Sequence, residues 1–323
     1  MTDTAADAES RLAHFPVAFF AAVLGFGGLT LAFRASEHAL DLPNTASVAT
    51  LFLTIAVFAG ISAFYVAKAL RHPDALKAEW QNPLRLAFFP AISISILLIA
   101  TASAPIWPDI ARPVWIIGTL AQGILTLVVI ASWIGHRPYQ NLHLTPAWFI
   151  PAVGNVIVPV AGVGLGYPDI SWLFFSGGLI FWIVLLTLVF NRLVFHDPLP
   201  GRLVPTLVIL IAPPAVGFIA YLRLGGGIDA FAMILLNTGY VFAAIVITQI
   251  PKFFKLPFAL SWWALSFPIA ALGVATLIFA DVTGSRGHLT LGLTLVSFLT
   301  VVVAGLGIRT VLAIVNGEIC RPE

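Results

Sequence analysis

Charge is what this chain has least of. Only 9% of its 323 residues are Asp, Glu, Lys or Arg, against about 25% in an ordinary soluble domain. With 60% of the residues hydrophobic, that balance excludes a soluble enzyme and fits lipid as the solvent. Cysteine is nearly absent: the single Cys320 excludes an intramolecular disulfide and a multi-cysteine metal site. None of the fourteen carboxylates falls in the central third of an apolar segment, and the histidines His14, His38, His72, His136, His143, His196 and His288 sit at segment ends or in joints. Proton-coupled carriers hold such groups inside the bundle, so a fixed proton relay has little support and a passive conduit is favoured. HExxH, GxSxG, P-loop and dinucleotide fingerprints are all missing, so no catalytic residue, metal or cofactor is expected. His196 and Asp197 adjoin in the Pro-rich joint HDPLPG, where they read as a turn element. A net charge of +2 is too small to argue for nucleic acid.

What is present is a succession of apolar runs, each near the roughly 20 residues a helix needs to cross the hydrocarbon core. They lie at about 14–34, 46–68, 86–105, 113–134, 146–166, 171–192, 203–223, 229–250, 260–280 and 288–312. The expectation is an all-α integral membrane protein of ten transmembrane helices, forming a single transmembrane channel domain over 1–323. The acidic start MTDTAADAES lacks the basic region of a cleaved leader, so the first apolar run is expected to be kept as a span. Assigning each Lys and Arg to its nearest joint puts twelve on the side of Arg11, Lys68, Arg137 and Arg309, and four, Arg34, Arg112, Arg223 and Arg286, on the other. Basic loops stay in the cytoplasm, so both termini are expected there, in a multi-pass protein of the plasma membrane, the inner membrane if the source is bacterial.

The prolines divide the runs into two kinds. Odd-numbered runs hold Pro16, Pro90, Pro151, Pro159, Pro213, Pro214 and Pro268, and even-numbered ones only Pro113, expected at a helix start. A proline within a span frees a carbonyl and bends the helix, which is tolerated where neighbours or water satisfy the exposed group. The simplest arrangement is five helical hairpins, each pairing a bent inner helix with a straighter outer one, in quasi-fivefold order around a central pore. Proline is also simply common in membrane helices. Glycines such as Gly25 suit an open lumen or close packing equally.

FPVAFFAAVLGFGGLTLA, FFPAISISILLIA, TPAWFIPAVGNVIVPVAG, VPTLVILIAPPAVGFIAY and SWWALSFPIAALGVAT, all in odd-numbered runs, resemble the voltage-dependent anion channel superfamily. That superfamily includes tellurite-resistance permeases, malate and sulfite transporters and the slow anion channel of guard cells. The resemblance covers essentially the whole chain. It implies ten helices around a pore, a homotrimer with one pore per protomer, small inorganic or organic anions as permeants, and a pore-blocking phenylalanine on the ninth helix. WWALSFP puts that gate at Phe267, with Trp263, Ser266 and Pro268 beside it. Taken without the family, Phe267 is one apolar aromatic among twenty-five phenylalanines.

A pore without buried cations still favours anions if basic mouths raise the local anion concentration and the lumen offers weak dipoles. Arg85, Arg202, Lys252 and Lys255 are candidates for a cytoplasmic anion funnel, or mark topology only. Pro16, Gly25, Pro90, Ser93, Asn155, Pro159, Pro213 and Pro214 are pore-lining candidates, with Ser95 and Thr101 as further neutral donors. The expected function is a gated, passive anion channel. The competing expectations are a secondary transporter of dicarboxylates such as malate, or of sulfite- or tellurite-type oxyanions, and a membrane scaffold whose pore never opens.

Overall fold

Backbone polar groups in lipid have to be satisfied within their own segment, so apolar runs of this length fold as helices. The computed structural model describes residues 11–135 and 139–321, which leaves Arg137 outside it. In chain order its α-helices are α1 (Phe20–Ala39), α2 (Thr45–Arg71), α3 (Pro73–Gln81), α4 (Pro90–Ser103), α5 (Pro108–Ile134), α6 (Phe149–Gly162), α7 (Pro168–Phe195), α8 (Ala212–Arg223), α9 (Ala230–Phe253), α10 (Ser266–Thr283) and α11 (Arg286–Val315). Among the described residues nine helical segments are long and apolar enough to cross a membrane, and a shorter apolar helix runs over Pro146–Gly162. The chain is a multi-pass membrane protein.

Two kinds of segment alternate. Those ending in α1, α4, α8 and α10 are 67–83% buried within the protein, whereas those of α2, α5, α7, α9 and α11 are 17–33% buried and show apolar side chains outward. Every residue of α6 except Val160 is buried. Each buried helix pairs with the exposed helix that follows it, apart from the short α3 in the first connection. The inner helices also touch one another in order: α1 packs on α4, α4 on α6, α6 on α8, α8 on α10, and α10 returns to α1. Each outer helix leans on the next inner one, and α11 leans on α1.

Proline acts differently from a mid-helix kink. Every inner segment opens with a 3₁₀ stretch, at Val17–Phe19, Leu86–Phe88, Pro146–Trp148, Gly201–Ile211 and Leu260–Leu265, before it becomes α-helical. Pro90 is the first residue of its α-helix, Pro151 and Pro268 the third, and Pro213 and Pro214 the second and third. Those positions have no i−4 partner for an N–H, so proline is tolerated there. Only Pro159 sits deep in an inner α-helix.

One expectation about the outer helices needs correction. α5 begins at Pro108, not near 113, because Pro108 serves as the helix start, as Pro168 does for α7 three residues before the expected 171. Pro113 therefore lies inside α5, and Pro251 lies inside the last turn of α9.

Candidate functional site

The inner helices do not meet along their whole length. All five of them line a cavity of about 680 Å³ that extends from the start of α10 toward the C-terminal ends of the inner helices. On α1 the lining residues Gly28, Leu31, Arg34, Ala35 and His38 follow the helical repeat, so one stripe faces the opening. α10 contributes Phe267 as its first lining residue and Ile278 as its last. Phe267 is half-buried and is the lining residue closest to the N-terminal end of α10. Phe267 is the second residue of α10, two positions after the 3₁₀ stretch Leu260–Leu265.

Gly28 lies beside the Phe267 ring and makes room for Ala270. A Cβ built there would stand 3.4 Å from Phe267 Cδ2 and 2.8 Å from Ala270 Cβ. Behind Phe267, Ser266 is fully buried and its hydroxyl donates to the Trp263 carbonyl at 2.6 Å. The Trp263 indole donates to Thr310 Oγ1 of α11 at 2.9 Å and leans on Phe26 with ring centroids 5.5 Å apart. Gly25 closes the same contact, since its Cβ would lie 2.6 Å from Ser266 Oγ. Pro268 is buried in the first turn of α10.

The cavity lining is apolar except for Arg34, His38, Asn44, Thr101 and Arg223, and holds no carboxylate among the described residues. His38, largely exposed, faces Asp281 at 3.7 Å. Arg34 is half-buried; its Nε and one Nη are enclosed by protein and have no hydrogen-bond partner. Arg223 is exposed at the end of α8.

Several expected lining residues lie elsewhere. Ser93 and Asn155 turn toward the outer helix α5: Ser93 Oγ is 2.7 Å from Gln122 Oε1, and Asn155 Nδ2 donates to Thr126 Oγ1 at 3.1 Å and to the Pro151 carbonyl at 3.0 Å. A polar side chain in an apolar bundle goes where it finds a partner, and the wall of this cavity offers few. Pro16, Gly25, Pro90, Pro159, Pro213 and Pro214 do not border the cavity either. Arg85, Arg202, Lys252 and Lys255 flank the 3₁₀ starts of the inner segments, so they sit at the end away from it. Sequence reading passed over Arg34 and Arg223 as lining groups and took Lys68 and Glu79 for joint residues. The seven-residue spacing of Gly28 and Ala35, with Arg34 on the same face, was the available signal for the first. Among the described residues there is no cluster of His, Cys, Asp or Glu able to hold a metal.

An uncharacterized transporter of Methanocaldococcus jannaschii is 24% identical over 301 residues, which cover 85% of this chain and 88% of that one. The S-type anion channel SLAH3 of Arabidopsis thaliana is 25% identical over 309 residues, 93% of this chain but 48% of the plant protein, so the chain spans about half its length. A tellurite resistance protein TehA homolog of Haemophilus influenzae is 25% identical over 308 residues, covering 94% and 92% of the two chains. The family described as voltage-dependent anion channel matches residues 14–311, a stretch that contains all five inner helices and the whole cavity, and to that family this chain belongs.

Proposed function

We propose that the chain is an anion channel of the plasma membrane, passively conducting small anions and gated by Phe267. In this reading the segment ending in α6 is the tenth span. The ten spans then form one channel domain of five hairpins in quasi-fivefold order, with both termini cytoplasmic. The observation that carries it is Phe267 in the lining of a cavity bordered by all five inner helices, with Arg34 and Arg223 and, among the described residues, no carboxylate in that lining. An aromatic at a narrow apolar waist blocks ions by excluding water. Guanidinium groups in the vestibule raise the local anion concentration. Trp263, Ser266 and Pro268 hold the backbone behind the gate, and Arg85, Arg202, Lys252 and Lys255 supply positive potential at the opposite mouth. The exposed apolar faces of the outer helices suit lipid and the contacts of a homotrimer. Single-channel recording in planar bilayers tests the gate: Phe267→Ala should raise anion conductance at least about tenfold, the effect of removing about 1.4 kcal/mol of barrier, while Ser266→Ala changes it little. A Phe267→Ala current equal to wild type removes the gate.

Similarity to an uncharacterized transporter and to the tellurite resistance homolog over nearly their full lengths favours a second reading, a secondary transporter of tellurite-type oxyanions, with sulfite and dicarboxylates such as malate as its other candidate substrates. Uphill uptake into proteoliposomes driven by a proton gradient would establish it. A current that reverses at the anion equilibrium potential would exclude it.

A further inference from the structure

The inner segments differ in how they begin. Four of their 3₁₀ starts are three or six residues long, but Gly201–Ile211 runs for eleven, and 3₁₀ runs beyond about four residues are uncommon because their hydrogen bonds are poorly aligned. From Pro205 to Ile211 every residue is buried except the half-buried Leu207. This long stretch packs on Leu260–Leu265, which leads through Ser266 into Phe267. Something has to hold it out of the α-helix.

Pro205 leaves one carbonyl over. In a 3₁₀ helix each carbonyl accepts from the N–H three residues on, and in an α-helix from the N–H four residues on. For the Arg202 carbonyl the first is residue 205, a proline without an N–H, and the second is Thr206, which has one. The Ser261 hydroxyl, from the first turn of the neighbouring stretch, donates to that carbonyl and satisfies it without an α turn. Two local bonds favour the tighter winding as well. The Leu203 N–H donates to the Pro200 carbonyl at 2.7 Å, and the Thr206 hydroxyl to the Leu203 carbonyl at 2.6 Å. Proline is accepted in the first turn of an α-helix, so α8 can wind back from Ala212 as far as Pro205. Each residue converted shortens the segment by about 0.5 Å and takes about 20° from its turn. Over Pro205–Ile211 that amounts to about 3.5 Å, and it re-faces the side chains packed on Leu260–Leu265.

We infer that Ser261 is a positioning residue of the gate: its bond to the Arg202 carbonyl keeps Gly201–Ile211 in the 3₁₀ form, and its release lets α8 lengthen and turns Leu260–Leu265 away from the setting in which Phe267 closes the pore. The inference rests on the reading of Phe267 as a gate and adds the element that sets it. Trp263, tied to Thr310 and leaning on Phe26, is the fixed point of that turn, with Ser261 before it and Phe267 after it. Ser261 does not line the cavity, so it acts through the backbone of its neighbours.

Single-channel recording of the full-length protein in planar bilayers separates open probability from unitary conductance. Ser261→Ala should raise open probability about threefold, the low end for one hydrogen bond at a junction open to water, and leave unitary conductance as in wild type. Ser261→Thr, which keeps the hydroxyl, should behave as wild type. In Pro205→Ala, residue 205 regains an N–H for the Arg202 carbonyl, so adding Ser261→Ala should change nothing further. Nor should it in Phe267→Ala, where no ring is left to set. An open probability unmoved by Ser261→Ala, a Ser261→Thr channel that behaves like Ser261→Ala, or a full effect in either background overturns the latch. Should Ser261→Ala be recovered only as aggregate, rescue of folding by Pro205→Ala supports the latch and failure of that rescue overturns it. A Phe267→Ala current equal to wild type removes the gate reading, and thermal unfolding in detergent then reads the latch by itself. A midpoint lowered by Ser261→Ala in wild type but not in Pro205→Ala keeps Ser261 as the hold on the 3₁₀ stretch, and equal lowering in both removes it.

Discussion

Gly28 of α1 and Ala270 of α10 stand so close that a methyl group added at the glycine would lie 2.8 Å from Ala270 Cβ. The same methyl would meet the edge of Phe267 at 3.4 Å, an ordinary contact. The tight point is therefore between the α1 backbone at Gly28 and the Ala270 methyl, and the Phe267 ring sits just beside it. Gly28→Ala should force α1 and α10 apart and cost about 1–3 kcal/mol, the range for overpacking a filled core. Ala270→Gly in the same chain should recover most of that loss. Thermal unfolding in detergent reads the pair, and simple additivity of the two changes would show that the contact is not tight.

Gln122 makes the second expected outcome one of asymmetry. The outer helix α5 points this fully buried amide inward, where Nε2 donates to the Pro151 carbonyl at 2.9 Å and Oε1 faces Ser93. Removing one partner of a buried pair leaves the other unsatisfied, whereas removing both leaves no orphan. Ser93 Oγ also lies 2.9 Å from the Pro90 carbonyl, so the hydroxyl keeps an acceptor when the amide is lost, whereas losing Ser93 strands the amide Oε1. Gln122→Leu should cost about 1–3 kcal/mol, and Ser93→Ala should cost more in the wild-type background than when added to Gln122→Leu. An equal cost in the two backgrounds would show that the amide does not rely on Ser93.

The division into buried and exposed helices was legible only in part: each of the five inner segments carries a proline where its 3₁₀ start is capped or turns α-helical, but Pro108, Pro113, Pro168 and Pro251 belong to outer helices. The 3₁₀ starts themselves were not legible, since a proline early in a helix and one in mid-span look alike until the helix start is known. Lys68 and Glu79 lie eleven residues apart in what reads as a hydrated joint, and only the fold-back of α3 brings them together. Arg34 reads as a topology marker because its position near a segment end says nothing about which face it occupies. Gln122 was passed over, because its partners belong to α4 and α6 and pairing across helices leaves no local signature.

Asp229 should give α9 an acid-sensitive start. It precedes the helix and caps it, accepting from the Ala232 N–H at 2.9 Å and from the Tyr221 hydroxyl at 2.5 Å. The Ala232 N–H first, and the Tyr221 hydroxyl next, hold its carboxyl below the ordinary 3.8. A carboxyl that is harder to protonate in the folded state adds stability above the unfolded value. That stability drains away as pH falls from the unfolded value through the lowered one. The gap in unfolding midpoint between wild type and Asp229→Asn should be positive at pH 7 and shrink as pH drops below about 3.8. A gap that stays constant with pH would place the variant's effect outside the cap.

Lys68 and Glu79 make an ion pair at 2.6 Å with both side chains almost wholly buried. Glu79 also accepts from the Val17 N–H at 2.7 Å and the Tyr65 hydroxyl at 3.1 Å, and Lys68 donates to the Phe15 carbonyl at 2.8 Å. The pair thereby ties the start of the first inner segment to the joint between α2 and α3, and it supplies backbone partners that a 3₁₀ start in lipid lacks. Breaking a buried pair on one side strands a charge and costs about 3–5 kcal/mol, while replacing both ions with apolar groups of similar volume is often neutral. Lys68→Met and Glu79→Met should each be strongly destabilising, and the double variant should recover most but not all of the loss, because the Val17 N–H and Phe15 carbonyl stay unpaired at about 1–3 kcal/mol. Unfolding midpoints of the four proteins in one detergent decide it. Single variants that lose no more than the roughly 0–1 kcal/mol of a surface pair would mean that water reaches this junction and that the tie does not hold the inner segment in place.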